Sequence, residues 1–95
     1  MSDSPVLIAI PGPRVVSRVI DGRALLLDAG QDRIERLNDV GSFIWALIRE
    51  RRHAAEALAE AVQAEFEVEP AEARADVQAF LAELEARGMV RFQER

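Results

Sequence analysis

The sequence predicts an α+β domain in which a three-stranded antiparallel sheet is followed by three helices. Short runs of β-branched and aliphatic residues, separated by turn residues, fill positions 15–37. Apolar residues at helical spacing then fill most of positions 40–84. The period changes at Leu37-Asn38-Asp39, where an apolar residue is followed by two good helix-capping residues. This corner joins the predicted sheet to the predicted helices.

The predicted sheet is a meander of three short strands. Val15–Ile20 is β-branched and partly alternating, which favours a strand. Asp21-Gly22 predicts a hairpin turn, because glycine tolerates the positive φ that tight hairpins need. Arg23–Asp28 is the returning strand, and a second turn leads to a third strand over Arg33–Leu37. This last strand is short and charged, which is typical of an exposed sheet edge.

The residues before the sheet are given no element, because Pro11-Gly12-Pro13 ends any regular structure within residues 6–13. The apolar run at 6–10 is too short for a signal peptide or a membrane span. The chain has no cysteine, which fits a reducing compartment. We therefore expect a cytoplasmic protein that binds no membrane. We expect it to form one domain over 1–95, with an ordered core of about 13–92.

Three helices are predicted after the corner, over about 39–49, 54–66 and 70–87. Asn38 or Asp39 can cap the first, and its Phe43, Trp45 and Leu47 are expected in the core. Pro70 suits the first position of the third helix, and Gly88 suits its C-terminal end. The last extended piece, 89–92, is expected to pack back on the sheet.

The inventory of reactive side chains is poor, and we expect no catalytic site, no metal and no cofactor. His53 is the one histidine and stands in a charged joint. The acidic residues lack the spacing of a calcium loop, and the glycines form no phosphate-binding loop. Residues 54–88 carry two arginines against nine acidic residues, a net charge of -7. Because this helical half is so acidic, it is a poor surface for phosphate backbones. We therefore expect no nucleic-acid binding.

The third helix has an apolar sector with two polar flanks. The sector contains Ala73, Val77, Phe80, Leu81 and Leu84. One flank contains Arg74, Gln78 and Glu85, and the other contains Asp76, Glu83 and Arg87. One flank is expected to border the edge of the sheet, where it forms either an ordinary solvated border or one wall of a groove. The residues alone leave both the choice of flank and its role open.

The order of elements and several motifs resemble the PqqD-like proteins, which are small peptide-recognition domains of ribosomally made, post-translationally modified peptide pathways. The resemblance covers about 13–92. Its motifs are Leu25–Asp28, the corner Leu37–Trp45, Glu65–Val68, and Asp76–Leu81 followed by Leu84 and Gly88. Two positions depart from the family pattern. Ala54 stands where a capping threonine is usual, and Ile34 and Glu35 stand where aromatic residues are frequent.

The resemblance implies a winged-helix-like, non-catalytic domain that binds the leader segment of a precursor peptide. The leader adds as a strand to the third strand and rests against the third helix. The domain then presents it to a modifying enzyme, either a radical-SAM enzyme in pyrroloquinoline quinone synthesis or a leader peptidase in lasso peptide pathways. We expect a monomer. The residues expected to bind the peptide are Arg33, Ile34, Glu35, Arg36 and Leu37 on the strand, and Arg74, Asp76, Val77, Phe80 and Leu81 on the helix.

Two other functions stay open. The first is a winged-helix nucleic-acid-binding protein, which would need a basic recognition helix. The second is a structural subunit that stabilises a partner enzyme and never contacts a peptide.

Overall fold

The computed structural model describes residues 5–95, which contain five strands and three helices. The elements are β1 (Leu7–Pro11), β2 (Val15–Ile20), β3 (Arg23–Asp28), β4 (Arg33–Arg36), α1 (Asp39–Ile48), α2 (Ala55–Phe66), α3 (Pro70–Ala86) and β5 (Val90–Glu94). The predicted α+β class is confirmed, and the three helices lie within one or two residues of their predicted limits. Regular structure runs from Leu7 to Glu94, a wider range than 13–92.

A two-stranded antiparallel sheet joins the two ends of the described chain. β1 pairs with β5, with Leu7 opposite Glu94 and Pro11 opposite Val90. The prediction of no element in residues 6–13 is therefore wrong. So is the prediction that the last extended piece packs on the three-stranded sheet, because it pairs with β1 instead. Pro11 can end β1 because a strand terminus tolerates a residue without an N–H.

The backbones approach closely at the end of this sheet where β1 stops and β5 starts. The Gly12 N–H donates to the Met89 carbonyl oxygen at 2.8 Å. A side chain at Gly12 would collide with the carbonyl oxygen of Gly88. Gly88 itself has a φ of +74° just after α3, a conformation that glycine adopts without strain. Glycine at 12 leaves room for the backbone that follows α3, and glycine at 88 allows the turn from α3 into β5.

β2, β3 and β4 form the predicted meander, in that order across a second antiparallel sheet. Asp21 and Gly22 have φ values of 54° and 81°, as a two-residue hairpin requires. Alternation along β3 sends Ala24, Leu26 and Asp28 to the buried side. The buried Asp28 carboxylate accepts from the Gly30 N–H at 2.9 Å and so holds the turn to β4.

The corner between β4 and α1 is held by side-chain hydrogen bonds. Asn38 caps α1, and its side-chain oxygen accepts from the Gly41 N–H at 2.8 Å. The Ser42 hydroxyl oxygen accepts from the Ala24 N–H at 2.7 Å, which ties α1 to the central strand of the meander. Of the two predicted caps, Asn38 is the one that forms the bond, and Asp39 is the first residue of the helix. These bonds fix the distance between the last strand of the sheet and the helices.

The helices pack around a single core that both sheets contribute to. The predicted core residue Trp45 is 2% exposed, and Phe43 and Leu47 are partly buried against the core. The rings of Phe43 and Phe66 pack edge to face at 5.5 Å between centroids. Ala54 precedes α2 without a side-chain hydrogen bond, as the missing capping residue predicts.

Candidate functional site

The free edge of β4 is the starting point of the candidate site. β4 pairs with β3 on one side and, within residues 5–95, with no strand on the other. An edge strand of this kind offers unpaired backbone N–H and C=O groups to an incoming chain. The edge lies beside the N-terminal end of α1 and the middle of α3.

The register shows which residues of β4 offer those groups. The Leu37 N–H donates to the Ala24 carbonyl oxygen of β3 at 3.0 Å. Backbone groups point to alternate sides along a strand, so those of Glu35 and Arg33 also point toward β3. The N–H and C=O groups of Ile34 and Arg36 therefore point to the free edge. This edge can form up to four main-chain hydrogen bonds.

Two hollows lie on the helix side of this edge. The first, of about 170 Å³, is lined by Glu35, Arg36, Leu37, Asn38, Phe80, Glu83 and Leu84. The second, of about 300 Å³, is lined by Asn38, Val40, Gly41, Ile44, Asp76, Ala79, Phe80 and Glu83. Phe80 lines both hollows and is only partly buried. The lining of both hollows mixes polar and apolar side chains, and the rim on α3 is acidic.

The structure decides which flank of α3 borders the sheet. Asp76 and Glu83 line the hollows, and the Arg87 guanidinium forms an ion pair with the Glu35 carboxylate of β4. Arg87 also pairs with Glu83 at 3.1 Å, one helical turn away. The flank with Asp76, Glu83 and Arg87 is therefore the wall that faces β4. The Arg87–Glu35 pair closes the end of the groove at the C-terminus of α3.

The residues predicted for the site have different surroundings. Val77 and Leu81 are 1% and 4% exposed and belong to the core. In this arrangement they support Phe80 from below and have no free surface. Arg74 is exposed on the opposite flank, away from both hollows.

On β4, side chains alternate between the two faces of the sheet. Glu35 and the buried Leu37 point toward the helices, whereas Ile34 and Arg36 point to the opposite face. Arg33 lies opposite Asp28 at the start of the strand. The predicted strand residues thus divide into a groove side and an outer side.

The structure adds residues of α1 that the sequence-based prediction omits. Val40, Gly41 and Ile44 line the larger hollow together with Phe80. An added Cβ at Gly41 would lie 3.0 Å from Cε1 of Phe80, so a larger residue would press on that ring. Gly41 is visible in the corner motif of the sequence. Its contact with Phe80 of α3 depends on how the helices pack, which the sequence does not show.

Outside the groove, Glu50, Arg52 and His53 form a small polar cluster. The pKa of Glu50 is lowered because His53 and Arg52 donate hydrogen bonds to its carboxylate, but this cluster lies outside the groove. Within residues 5–95, no group of three or more histidine or acidic side chains is placed to hold a metal ion. No helix of the described chain is long and apolar enough to cross a membrane.

Comparison with known proteins identifies the family. The model of the family described as coenzyme PQQ synthesis protein D (PqqD) matches residues 23–90. This chain belongs to the PqqD family. The matched residues include both walls of the groove, since they extend from β3 through α3 to the start of β5. A search of curated protein sequences finds no significant match.

Two solved structures resemble this PqqD-family chain in fold. One is TbiB1 in complex with the TbiA(beta) leader peptide, with a TM-score of 0.79 and 30% sequence identity. The match covers 85% of this chain and 93% of TbiB1. The other is a lasso peptide synthetase B1 complexed with the leader peptide, with a TM-score of 0.78 and 25% identity over 87% of this chain and 96% of that one.

Proposed function

We propose that this PqqD-family protein binds the leader segment of a ribosomally made precursor peptide and presents it to a modifying enzyme without catalysing a reaction itself. The leader adds as a strand to β4 and places alternate side chains in the groove against α3. The enzyme is a leader peptidase or a radical-SAM enzyme. The protein acts as a single-domain monomer in the cytoplasm.

The free edge of β4 beside the hollows around Phe80 is the observation that carries this proposal. Strand addition uses main-chain hydrogen bonds for affinity and pockets for alternate side chains for specificity. The outward groups of Ile34 and Arg36 supply the first requirement. Phe80 and the apolar residues of α1 supply the second. Both similar structures hold a leader peptide, which supports a peptide ligand here.

The contacts agree with moderate affinity. Up to four main-chain bonds contribute about 1 kcal/mol each. Apolar side chains that enter the two hollows contribute about 1.5–3 kcal/mol each when fully buried. The loss of translational freedom and the ordering of the peptide oppose these gains. A micromolar dissociation constant, about -8 kcal/mol, is the expected scale.

The groove residues divide into contacts and supports. Ile34 and Arg36 bond the peptide backbone, Asp76 and Phe80 contact its side chains, and Glu35 acts through Arg87. Arg33 and Leu37 hold the two ends of β4, while Val77 and Leu81 position Phe80 from the core. Arg74 was predicted to bind the peptide, but it lies on the opposite flank of α3 and takes no part in the proposed contact.

Amide chemical shifts would test this proposal. The probe is a synthetic peptide with the sequence of a candidate leader segment, added to the isotope-labelled full chain, with a scrambled peptide as the control. We expect shifts that cluster in residues 32–44 and 74–84, with Ile34 and Arg36 among the largest. Shifts that cluster in α2 instead would contradict strand addition at β4.

A separate titration with nucleic acids tests the main alternative function. A nucleic-acid-binding protein would bind labelled duplex DNA or single-stranded RNA at low salt, where electrostatic binding is strongest. α3 carries one arginine, Arg74, against four acidic residues, and Arg87 follows as its C-cap, so we expect no binding to either. Salt-sensitive micromolar binding would favour the nucleic-acid function.

A further inference from the structure

The face of the three-stranded sheet that points away from the helices, here called the outer face, is unusually apolar for a free surface. Val16, Leu27 and Ile34 lie side by side in one row across β2, β3 and β4. They are 57%, 39% and 59% exposed. Ile20, at 53%, lies on the same face nearer the hairpin, beyond Arg18 and the half-buried Leu25. A contiguous exposed apolar patch of this kind marks an interaction site.

The outer face is also positively charged on an otherwise acidic protein. Arg18, Leu25 and Arg36 form the row next to the apolar one. Neither Arg18 nor Arg36 forms an ion pair within residues 5–95, whereas Arg23 pairs with Asp39 at 3.0 Å. None of the strand positions that face this way in the described chain is acidic. A complementary surface therefore has an apolar centre and carboxylates around it.

The outer face is continuous with the peptide site. Ile34 and Arg36 send their side chains to the outer face and their backbone groups to the free edge. A peptide strand added at that edge extends the sheet, and every second side chain of the peptide joins the outer face. Any protein that docks on this face then contacts the bound peptide as well.

We infer that the outer face docks the enzyme that acts on the bound leader peptide, through an apolar patch on that enzyme with acidic residues around it. This inference rests on the proposed function, because the peptide completes the docking surface. Peptide and enzyme should strengthen each other's binding by the same factor, as linkage between two sites requires. A second copy of this chain is a poor occupant, because a symmetric pairing would bring the arginines of both copies together.

Variants of the full chain would test the inference, with the peptide-modifying enzyme encoded beside the precursor gene as the probe. Leu27→Glu removes apolar surface, and Arg18→Glu reverses the charge. Leu7→Glu and Arg91→Glu are matched controls, since both residues are exposed on the two-stranded sheet. We expect enzyme affinity to fall at least tenfold in the first two variants and less than twofold in the controls.

Leader affinity in the absence of enzyme, measured on the same variants, tests the proposed function separately. We expect Leu27→Glu and Arg18→Glu to bind the leader within about twofold of the original chain. Leader binding with unchanged enzyme affinity in both variants would overturn the docking inference alone. If the original chain does not bind the leader at all, the proposed function is wrong instead.

Two further measurements address other occupants of the outer face. Sedimentation of the chain alone should show no dimer that Leu27→Glu dissociates. Phosphatidylglycerol vesicles and single-stranded RNA should bind the original chain and Arg18→Glu equally weakly. A dimer, or binding to either probe that depends on Arg18, would overturn the inference.

Leader at saturation should tighten enzyme binding several-fold, and an effect of the opposite sign would contradict the composite surface.

Discussion

The two antiparallel sheets use the same pairing but leave very different surfaces. In the β1–β5 sheet, Ile8, Ala9 and Ile10 are buried in succession, and Met89 and Val90 are buried beside them. In the β2–β4 sheet, one face is buried, while the other face and the β4 edge are open. The first sheet closes the chain ends over the core. The second leaves one face and one edge open, because nothing in the described chain covers them.

Exposure of the backbone and side chains, rather than strand pairing, distinguishes the two sheets. Burial of an apolar side chain contributes free energy to folding in either sheet. An apolar side chain left exposed contributes only when a partner covers it. Ile10 is buried in the first sheet, whereas Ile34, the same residue type, is exposed in the second.

The largest expected effect is on the stability of the two-stranded sheet. Ile10→Ala should lower the free energy of unfolding by about 2–5 kcal/mol, because it leaves a cavity at a fully buried position. The matched variant Ile34→Ala should change it by less than about 0.5 kcal/mol, as exposed substitutions do. Urea denaturation measures both. Equal losses in the two variants would remove the distinction between the sheets.

The next effect concerns the β4 edge and separates its two hydrogen-bonding sides. Ile34→Pro removes an N–H that points to the free edge, so the fold should survive while leader affinity falls at least about tenfold, or 1.4 kcal/mol. Glu35→Pro removes an N–H that points to β3 and should destabilise the domain by about 1–3 kcal/mol. Thermal melts and fluorescence polarisation separate the outcomes. Normal leader binding by a folded Ile34→Pro variant would mean that the peptide binds elsewhere.

The smallest effect should come from the ion pair that joins β4 to α3. Arg87→Gln breaks the contact with Glu35, whose side chain is 24% exposed against 30% for Arg87. We expect stability to fall by less than about 1 kcal/mol, and by less still in 1 M salt, because partly exposed pairs are weak and screened. Arg74→Gln, on the opposite flank, should change neither stability nor leader affinity. A loss of leader affinity in Arg74→Gln would move the site to that flank.

Local signals in the sequence determined most of the architecture. The hairpin at Asp21-Gly22, the cap at Asn38 and the proline at the start of α3 each act within a few residues. Such features depend on backbone geometry that neighbouring residues impose, so they can be read without a structure. Of the core residues predicted for α1, Trp45 is buried, whereas Phe43 and Leu47 are only partly buried.

Long-range packing decided the rest. β1 was missed because its partner β5 lies at the other end of the chain and the proline-glycine run beside it reads as a break. The choice between the two flanks of α3 depended on how α3 packs beside β4, and the period of α3 alone treats both flanks alike. The same packing buried Val77 and Leu81 and brought Val40 and Gly41 of α1 to the groove. The sequence by itself determined β2, β3, β4 and the three helices. The tertiary structure decided the pairing of β1 with β5 and which surfaces stay open, because both depend on residues that are distant in the chain.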